Sequence, residues 1–351
     1  MVFVGSHDRY VLMDGTFGSG GFELIGQVKE DAKLPIKDFM SYDEIKLSAL
    51  FSVSSKSHFV NNGSRHNKGE IGDEGSFEKE GIIVAQVGAR FQKPNKMDWQ
   101  DCIITPSQNN TQQGYGENPD KGNYLLQEWS KLWEIPNFPT WDEVTTSDSK
   151  NYVDTLFDNI KFNEVVYKSR MKMSIEILLY ESEQRARNCN KKAYIHVVGL
   201  GLGEWGFVEC QPHFFVDTWG DVLADKSFEN IACINFSWIP VTSCKTTKNE
   251  EKFPNTDITI YFSKRSLHDP VPEDMLLVCN FAWDGNSLPG NEYWMGGLAS
   301  SGDPAAACSS GVAELHNALI NPQITAANLH VATNKGIIHI SEYAKRWMEN
   351  T

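Results

Sequence analysis

The sequence lacks the apolar runs and the cysteine spacing that mark membrane proteins and disulfide or zinc scaffolds. No apolar stretch reaches the ~18 residues that a helix needs to span a bilayer. The first residues have no basic segment followed by an apolar run, so no signal peptide is expected. The seven cysteines are scattered, and no two have Cys-x-x-Cys spacing. We therefore expect a cytoplasmic protein with reduced thiols.

Positive charge is also scarce. There are 32 lysines and arginines against 46 aspartates and glutamates, which gives a net charge of -14. Such a surface repels nucleic acid and anionic membranes, so neither is an expected partner. An anionic ligand can still bind where main-chain N–H groups hold it. The nine histidines show no metal-binding spacing, so we expect neither a bound metal nor a cofactor.

The second half of the chain alternates between helical and strand patterns. Apolar residues at Met171, Ile175, Leu178 and Leu179 recur at helical spacing. Further helices are predicted over residues 212–224 and 312–320, and strands over 193–198, 231–239, 258–262, 275–283, 329–332 and 337–340. This alternation predicts an α/β fold with a mixed or parallel sheet.

The first half is less regular. Polar, turn-rich stretches cover residues 61–80 and 105–123, and a buried strand is predicted between them at residues 82–88. We expect residues 1–150 to form an N-terminal elaboration that packs on the core and contributes ligand-side loops, and residues 151–351 to form the catalytic core. No flexible linker separates the halves, which favours one compact unit.

Two loops near the C-terminus concentrate the chemistry. An apolar strand runs into a loop that carries Asp284 and Glu292, and a second loop carries Asp303 before a predicted helix. Ligands of open α/β sheets bind where strand ends meet helix starts. Hydrolysis of a glycosidic bond needs one carboxyl group to hold a proton at the leaving group and another to activate water. An N-cap or Asx-turn role accounts equally well for each of these acids taken alone.

The loop at residues 300–311 is rich in serine, glycine and alanine. Small side chains beside a helix N-terminus let main-chain N–H groups wrap a diphosphate. The loop lacks the Gly-Lys-Ser/Thr ending of a P-loop, which argues against an NTPase. The alternative is a well-capped surface helix.

A second glycine-rich turn, Gly201-x-Gly203-x-x-Gly206, follows a strand. It matches the dinucleotide fingerprint, but the next strand ends without the carboxylate that would hold a ribose. A tight strand-to-helix turn and a nucleotide-contacting loop of another kind both stay open, beside an NAD-dependent oxidoreductase. NADH binding with enhanced fluorescence would favour the oxidoreductase.

These stretches together resemble the arginine-specific mono-ADP-ribosyl hydrolase branch of the macrodomain superfamily, the MavL-like hydrolases. The resemblance is carried by residues 197–205, 281–294 and 301–309, and more weakly by 42–48, 59–67 and 88–91. It implies a three-layer α/β/α macrodomain with a mixed sheet. It also implies an enzyme that removes ADP-ribose from arginine side chains of proteins, with ubiquitin as a candidate target.

The resemblance also implies the site residues. The three carboxylates would be catalytic, although Glu292 stands where the bacterial member has an aspartate. The implied ligand-binding residues are Asn61, Asn62, Gly63, Arg65, Gly201, Leu202, Gly203, Glu204, Trp205, Asn286, Tyr293, Trp294, Ser300, Ser301, Gly302, Ala305, Ala306, Cys308, Ser309 and Ser310. The Gln-Glu-Glu signature of poly(ADP-ribose) glycohydrolases is missing, so cleavage of the polymer is less expected. The rival hypothesis is a non-catalytic ADP-ribose reader.

Overall fold

A computed structural model describes most of the chain between residues 42 and 282, together with short segments at both ends. The described residues are 2–3, 9–11, 17–19, 42–64, 70–91, 93–147, 150–203, 205–282, 326–333 and 336–349. The predicted helix over residues 312–320 lies outside them. The chain forms two compact units. The first comprises Met1–Ser48, Gly88–Met173 and Gly201–Thr218, and the second Ala49–Val87, Ser174–Leu200 and Trp219–Thr351.

The described residues form seven α-helices and seventeen strands. The helices are α1 (Tyr42–Ser48), α2 (Trp99–Cys102), α3 (Tyr124–Leu132), α4 (Trp141–Thr146), α5 (Glu164–Asn188), α6 (Gln211–Asp225) and α7 (Ile340–Glu349). The strands up to residue 197 are β1 (Val2–Phe3), β2 (Arg9–Val11), β3 (Phe17–Ser19), β4 (Val53–His58), β5 (Glu80–Gln86), β6 (Ile103–Ile104), β7 (Tyr152–Asp154), β8 (Lys161–Asn163) and β9 (Lys192–Val197). The later strands are β10 (Ile231–Ser237), β11 (Ser243–Cys244), β12 (Thr247–Lys248), β13 (Glu251–Lys252), β14 (Thr259–Ser263), β15 (Met275–Ala282), β16 (His330–Thr333) and β17 (Gly336–His339).

The second unit is built on a seven-stranded sheet of order β13-β14-β10-β9-β15-β5-β4. The five central strands are parallel, and β13 and β4 pair antiparallel at the two edges. The sheet is therefore mixed and mostly parallel, as the alternation of helices and strands predicts. Strands β4 and β5 come from the first half of the sequence, and β5 pairs with β15 in a register that sets Ile82 opposite Val278.

Successive residues of β15 face opposite sides of this sheet. Asn280 and its neighbour Gln86 face the side covered by α5, where Gln86 Nε2 donates to the carbonyl of Ser174 at 2.8 Å. Cys279 and Phe281 face the other side, where the crossover at residues 264–273 covers them. There the Cys279 thiol donates to the carbonyl of Leu267 at 3.3 Å.

The helical prediction from the apolar stripe is confirmed. Met171, Ile175, Leu178 and Leu179 all lie on α5 and are buried. Helix α6 matches the helix predicted over residues 212–224. The strand predicted over 231–239 ends earlier, because Trp238 has a positive φ of 60° and turns the chain out of the sheet.

The first unit contains two buried ion pairs. The Lys46 ammonium on α1 lies 2.7 Å from a carboxylate oxygen of Asp101, and Trp133 Nε1 donates to the same carboxylate at 2.8 Å. Nearby, Arg170 pairs with Asp98 at 3.2 Å. Each of these two ion pairs is almost fully excluded from water, so each charge depends on its partner.

No helix within the described ranges combines the length and the apolar character that crossing a bilayer requires.

Candidate functional site

The structure describes seven of the residues expected at the site. They fall in two turns, at Asn61–Gly63 in the second unit and at Gly201–Trp205 in the first. The other expected site residues lie outside the described residues: Arg65, Glu204, Asp284, Asn286, Glu292, Tyr293, Trp294, Ser300, Ser301, Gly302, Asp303, Ala305, Ala306, Cys308, Ser309 and Ser310.

Strand β15 leads directly to the acidic segment. It is central in the sheet, its residues 277–281 are buried, and it ends at Ala282, two residues before Asp284. The parallel neighbour β9 ends at Val197, so both carboxyl ends lie at the same edge of the sheet. The prediction of a buried strand ahead of Asp284 is confirmed, and this edge is where α/β sheets bind ligands.

The turn at residues 61–64 is fixed by its own asparagines. Asn61 Oδ1 accepts from the main-chain N–H of Gly63 at 2.9 Å, and Asn62 Oδ1 accepts from that of Ser64 at 3.1 Å. The Asn61 amide also donates to the carbonyl of Glu70 at 2.9 Å. These are Asx-type bonds, which set the main-chain path of a turn. The two amide side chains therefore hold the turn rigid.

His268 packs against this turn. Its ring stacks on Phe59, and its Nδ1 lies 3.0 Å from the carbonyl oxygen of Asn61. Because a carbonyl can only accept, Nδ1 carries the hydrogen. Nε2 is buried without a hydrogen-bond partner among the described residues. Burial, together with the positive charge of Arg265, lowers the pKa of His268 to about 4, so the ring is neutral at pH 7.

Gly63 is required by close packing against His268. Its φ is +70°, and a Cβ built on it would lie 2.8 Å from Cβ of Leu267 and 2.9 Å from Nδ1 of His268. The His268 ring in turn lies 6.5 Å from that of Phe281 in β15. The turn therefore sits beside the last residues of the strand that continues to Asp284. Sequence reasoning missed His268, since nothing in its neighbourhood marks it as paired with residue 61.

A second buried histidine lies on the same face of the sheet. Arg265 lies with its guanidinium 4.8 Å from the ring centroid of Tyr194, and Nη1 lies 3.4 Å from Nδ1 of His196. Burial, reinforced by the Arg265 charge, lowers the pKa of His196 to about 3. The neutral ring can therefore accept this hydrogen bond. Arg265 also donates to the carbonyl of Asp269 and so fixes the crossover at residues 264–273.

In the first unit, the Gly201 turn is a tight turn tied to the start of α6. Gly201 has φ +70°, and a Cβ there would lie 2.9 Å from the carbonyl oxygen of Ala89. Gln211 bridges the turn, because its Nε2 donates to the Gly201 carbonyl at 3.2 Å and its Oε1 accepts from Phe207 N–H at 2.8 Å. Gly203 is exposed, with no atom near its Cβ position. The geometry fits the tight-turn reading and leaves main chain at Gly203 open to solvent.

Trp205, at the end of this turn, lies against a buried arginine. The Arg90 guanidinium carbon is 5.1 Å from the Trp205 ring centroid, within the range of a cation–π contact. Arg90 is 1% exposed, and its main-chain N–H donates to Asp98 at 2.9 Å. The same Asp98 pairs with Arg170, so the charge network of the first unit supports Trp205. The sequence marks this arginine only through the stretch 88–91 quoted above.

Two cysteines of the central sheet, Cys233 on β10 and Cys279 on β15, are neutral thiols. Burial raises the pKa of Cys279 to about 12 and that of Cys233 to about 11, so both thiols stay protonated. Six cysteines are described, and all are free. Within the described segments no three His, Cys, Asp or Glu side chains are grouped closely enough to hold a metal ion.

Comparison with known proteins decides the family. Residues 1–346 match the family described as "MavL-like: ADP-ribosylhydrolase MavL-like". The chain belongs to this family. It is 40% identical to ADP-ribosylarginine hydrolase CG2909 of Drosophila melanogaster, over 98% of this chain and 72% of that protein. It is 38% identical to ADP-ribosylarginine hydrolase CG3568 of the same organism, over 98% of this chain and 71% of that protein.

Proposed function

We propose that this member of the MavL-like family removes ADP-ribose from mono-ADP-ribosylated arginine side chains. The observation that carries the proposal is identity of about 40% to two ADP-ribosylarginine hydrolases over 98% of the chain. The alternative is an ADP-ribose reader without activity.

The reaction breaks the N-glycosidic bond between ribose C1″ and the arginine guanidinium. A water oxygen bonds to C1″, and the proton that the water loses passes through a carboxylate to the departing guanidine, which leaves as guanidinium. We assign the proton transfers and the orientation of the ribose to Asp284, Glu292 and Asp303. Carboxylates suit this substrate twice, because they also bind a cationic guanidinium in a bidentate manner.

The ADP-ribose would be held by main chain. We assign the diphosphate to the small-residue loop at 300–310, whose composition lets N–H groups approach an anion. The turns at residues 61–65 and 201–205 would contact the nucleotide or ribose, and Asn286, Tyr293 and Trp294 would complete the site. The rigid Asx turn beside Phe281 and the open main chain at Gly203 support this assignment.

We further propose a macrodomain-like core at residues 151–351, with residues 1–150 as an elaboration that supplies ligand-side loops and, through β4 and β5, two strands of the shared sheet. The mixed, mostly parallel sheet supports the first part of this proposal. We propose ubiquitin as a candidate target and the cytoplasm as the location. We also propose that catalysis needs no metal, because carboxylates can carry both proton transfers.

The test is release of ADP-ribose from an arginine-modified protein, followed by mass spectrometry. The enzyme reading expects release by the wild type and its loss in Asp284→Ala and Asp303→Ala. The reader alternative expects ADP-ribose binding by calorimetry with no release. A panel that includes ADP-ribosylated ubiquitin tests the target, and equal rates with and without EDTA test metal independence.

A further inference from the structure

A groove of about 400 Å³ opens on the first unit, and none of the expected site residues lines it. One wall is formed by Asp154, the last residue of β7, and by the next two residues, Thr155 and Leu156. The other is formed by residues 208–210 and by His213 on the first turn of α6.

The groove has an apolar wall held in a fixed position. The Thr155 hydroxyl lies 3.1 and 3.0 Å from the carbonyl oxygens of Phe157 and Ile160 and can donate its one hydrogen to either, and Phe157 N–H donates to it at 3.2 Å. These contacts fix the loop between β7 and β8. The Phe157 ring packs 6.0 Å from that of Phe207. Leu156 is 90% exposed, and its neighbour Phe157 is also exposed. The two adjacent side chains offer a partner a continuous apolar surface beside the groove.

The charge in the groove is negative. Asp154 is paired with Lys161 at 2.6 Å, so its charge is largely balanced. Glu209 is exposed, and no described residue forms an ion pair with it. Burial raises the pKa of the Cys210 thiol, with Glu164 and Glu209 adding to the effect, so the thiol is neutral. The groove therefore offers one unbalanced carboxylate beside an apolar wall.

This chemistry selects a basic, partly apolar peptide over a phosphate. Glu209 repels the diphosphate of ADP-ribose, so the groove is a poor second nucleotide site. A lysine or arginine beside an apolar side chain complements both walls. A protein with 46 acidic and 32 basic residues would also attract a basic target over longer distances.

The groove and the Gly201 turn share one short stretch of the first unit. Gln211, next to Cys210, holds the Gly201 carbonyl at 3.2 Å. A segment bound along residues 208–213 would therefore lie on the element that carries the proposed ADP-ribose turn.

We propose that this groove binds the basic segment of the substrate protein that flanks the modified arginine. The inference rests on the proposed hydrolase function and deepens it, because it names the class of protein substrate.

The first experiment measures binding by fluorescence polarisation, without turnover. The probe is a short labelled peptide in which lysines and leucines flank a central, unmodified arginine. Glu209→Lys should weaken binding about five-fold or more, since an attraction becomes a repulsion, and Leu156→Ser should weaken it about two- to five-fold. The matched controls are Glu117→Lys and Ile71→Ser, both at exposed positions outside the groove, and neither should change binding.

The second experiment compares two substrates in the hydrolysis assay. Glu209→Lys should raise KM about five-fold for the ADP-ribosylated basic peptide and leave kcat/KM unchanged for ADP-ribosylated free arginine. Equal effects on both substrates, or no effect of Glu209→Lys in either experiment, would overturn the groove proposal. A wild type that binds the peptide through Glu209 but releases no ADP-ribose would support the groove and contradict the hydrolase.

Discussion

The imidazole of His268 lies parallel to the phenyl ring of Phe59, with ring centroids 3.6 Å apart and planes 10° apart. The two rings lie 209 positions apart in the sequence (268 − 59 = 209). This stack fixes the crossover at residues 264–273 against the Asx turn at residues 61–64. The geometry of that turn therefore depends on a neutral, buried histidine.

The first prediction concerns pH. The folded pKa values of His268 and His196 are about 4 and about 3, and both lie below the ordinary value of 6.5. Between pH 6.5 and about 4 the unfolded chain binds protons that the folded chain does not. These imidazoles therefore lower the free energy of unfolding as pH falls, by up to about 1.4 kcal/mol per pH unit each.

Urea unfolding at pH 7, 6 and 5 measures this dependence. In His268→Gln the free energy of unfolding should fall less steeply with falling pH than in the wild type, because one of the two buried imidazoles is missing. His58→Gln, the same substitution at an exposed position, is the matched control. An unaltered slope in His268→Gln would contradict the assignment.

Gly63→Ala should destabilise the turn. The new Cβ would lie 2.8 Å from Leu267 Cβ and 2.9 Å from His268 Nδ1, at a φ of +70°. Gly75→Ala is the matched control, since Gly75 has φ +83° and open space around the Cβ position. We expect Gly75→Ala to cost about 1 kcal/mol from backbone strain and Gly63→Ala at least about 1 kcal/mol more from overpacking. If thermal unfolding showed equal losses of stability in Gly63→Ala and Gly75→Ala, the turn would have relaxed around the new methyl group.

Gly201→Ala and Gly203→Ala should differ in the same way. Gly201 has a positive φ and lies against the main chain of Ala89, whereas Gly203 has open space around it. We expect Gly201→Ala to lower the melting temperature and weaken ADP-ribose binding, and Gly203→Ala to leave stability almost unchanged. Calorimetric titration with ADP-ribose, alongside thermal melts, separates the two. Equal melting temperatures for the two variants would count against a packed turn.

Lys46→Met should be costly because it leaves the Asp101 carboxylate buried without its cation. Breaking one side of a buried pair costs about 3–5 kcal/mol. The exposed pair Lys131–Glu128 provides the control, and Lys131→Met should change stability by less than about 1 kcal/mol. Denaturant titration of both variants checks the contrast. A small loss of stability in Lys46→Met would mean that the buried Asp101 carboxylate readily takes up a proton and becomes neutral.

The last prediction concerns the proposed catalytic acids. Asp284→Asn and Asp303→Asn should lower kcat roughly a hundred-fold or more, because an amide cannot accept the proton. Glu292→Asp should keep much of the activity, since aspartate retains the carboxylate. ADP-ribose affinity, measured by calorimetry, should change far less than kcat. Full activity in Asp284→Asn and Asp303→Asn would contradict the assignment.

Local sequence patterns predicted the regular elements well. The stripe from Met171 to Leu179 and the apolar run of β15 each became a buried element, because helical spacing and a short buried run are local signals. The pairing of His268 with Asn61 and of Arg265 with His196 could not be predicted, because such contacts join residues far apart in the sequence. The close contact of Gly201 with Ala89 could not be predicted for the same reason. The roles of the three carboxylates stay predictions.

Strand β5 separates β4 from β15 in the sheet, although nearly two hundred positions divide its residues from their β15 partners along the polypeptide. A fragment that began after residue 150 would lack β5, so the apolar strand β15 would become an unpaired edge strand. Such an edge promotes aggregation. During synthesis β5 leaves the ribosome long before β15, so β5 has no β15 to pair with until most of the chain has been made. A shortened form of this protein should therefore keep β4 and β5 together with β15.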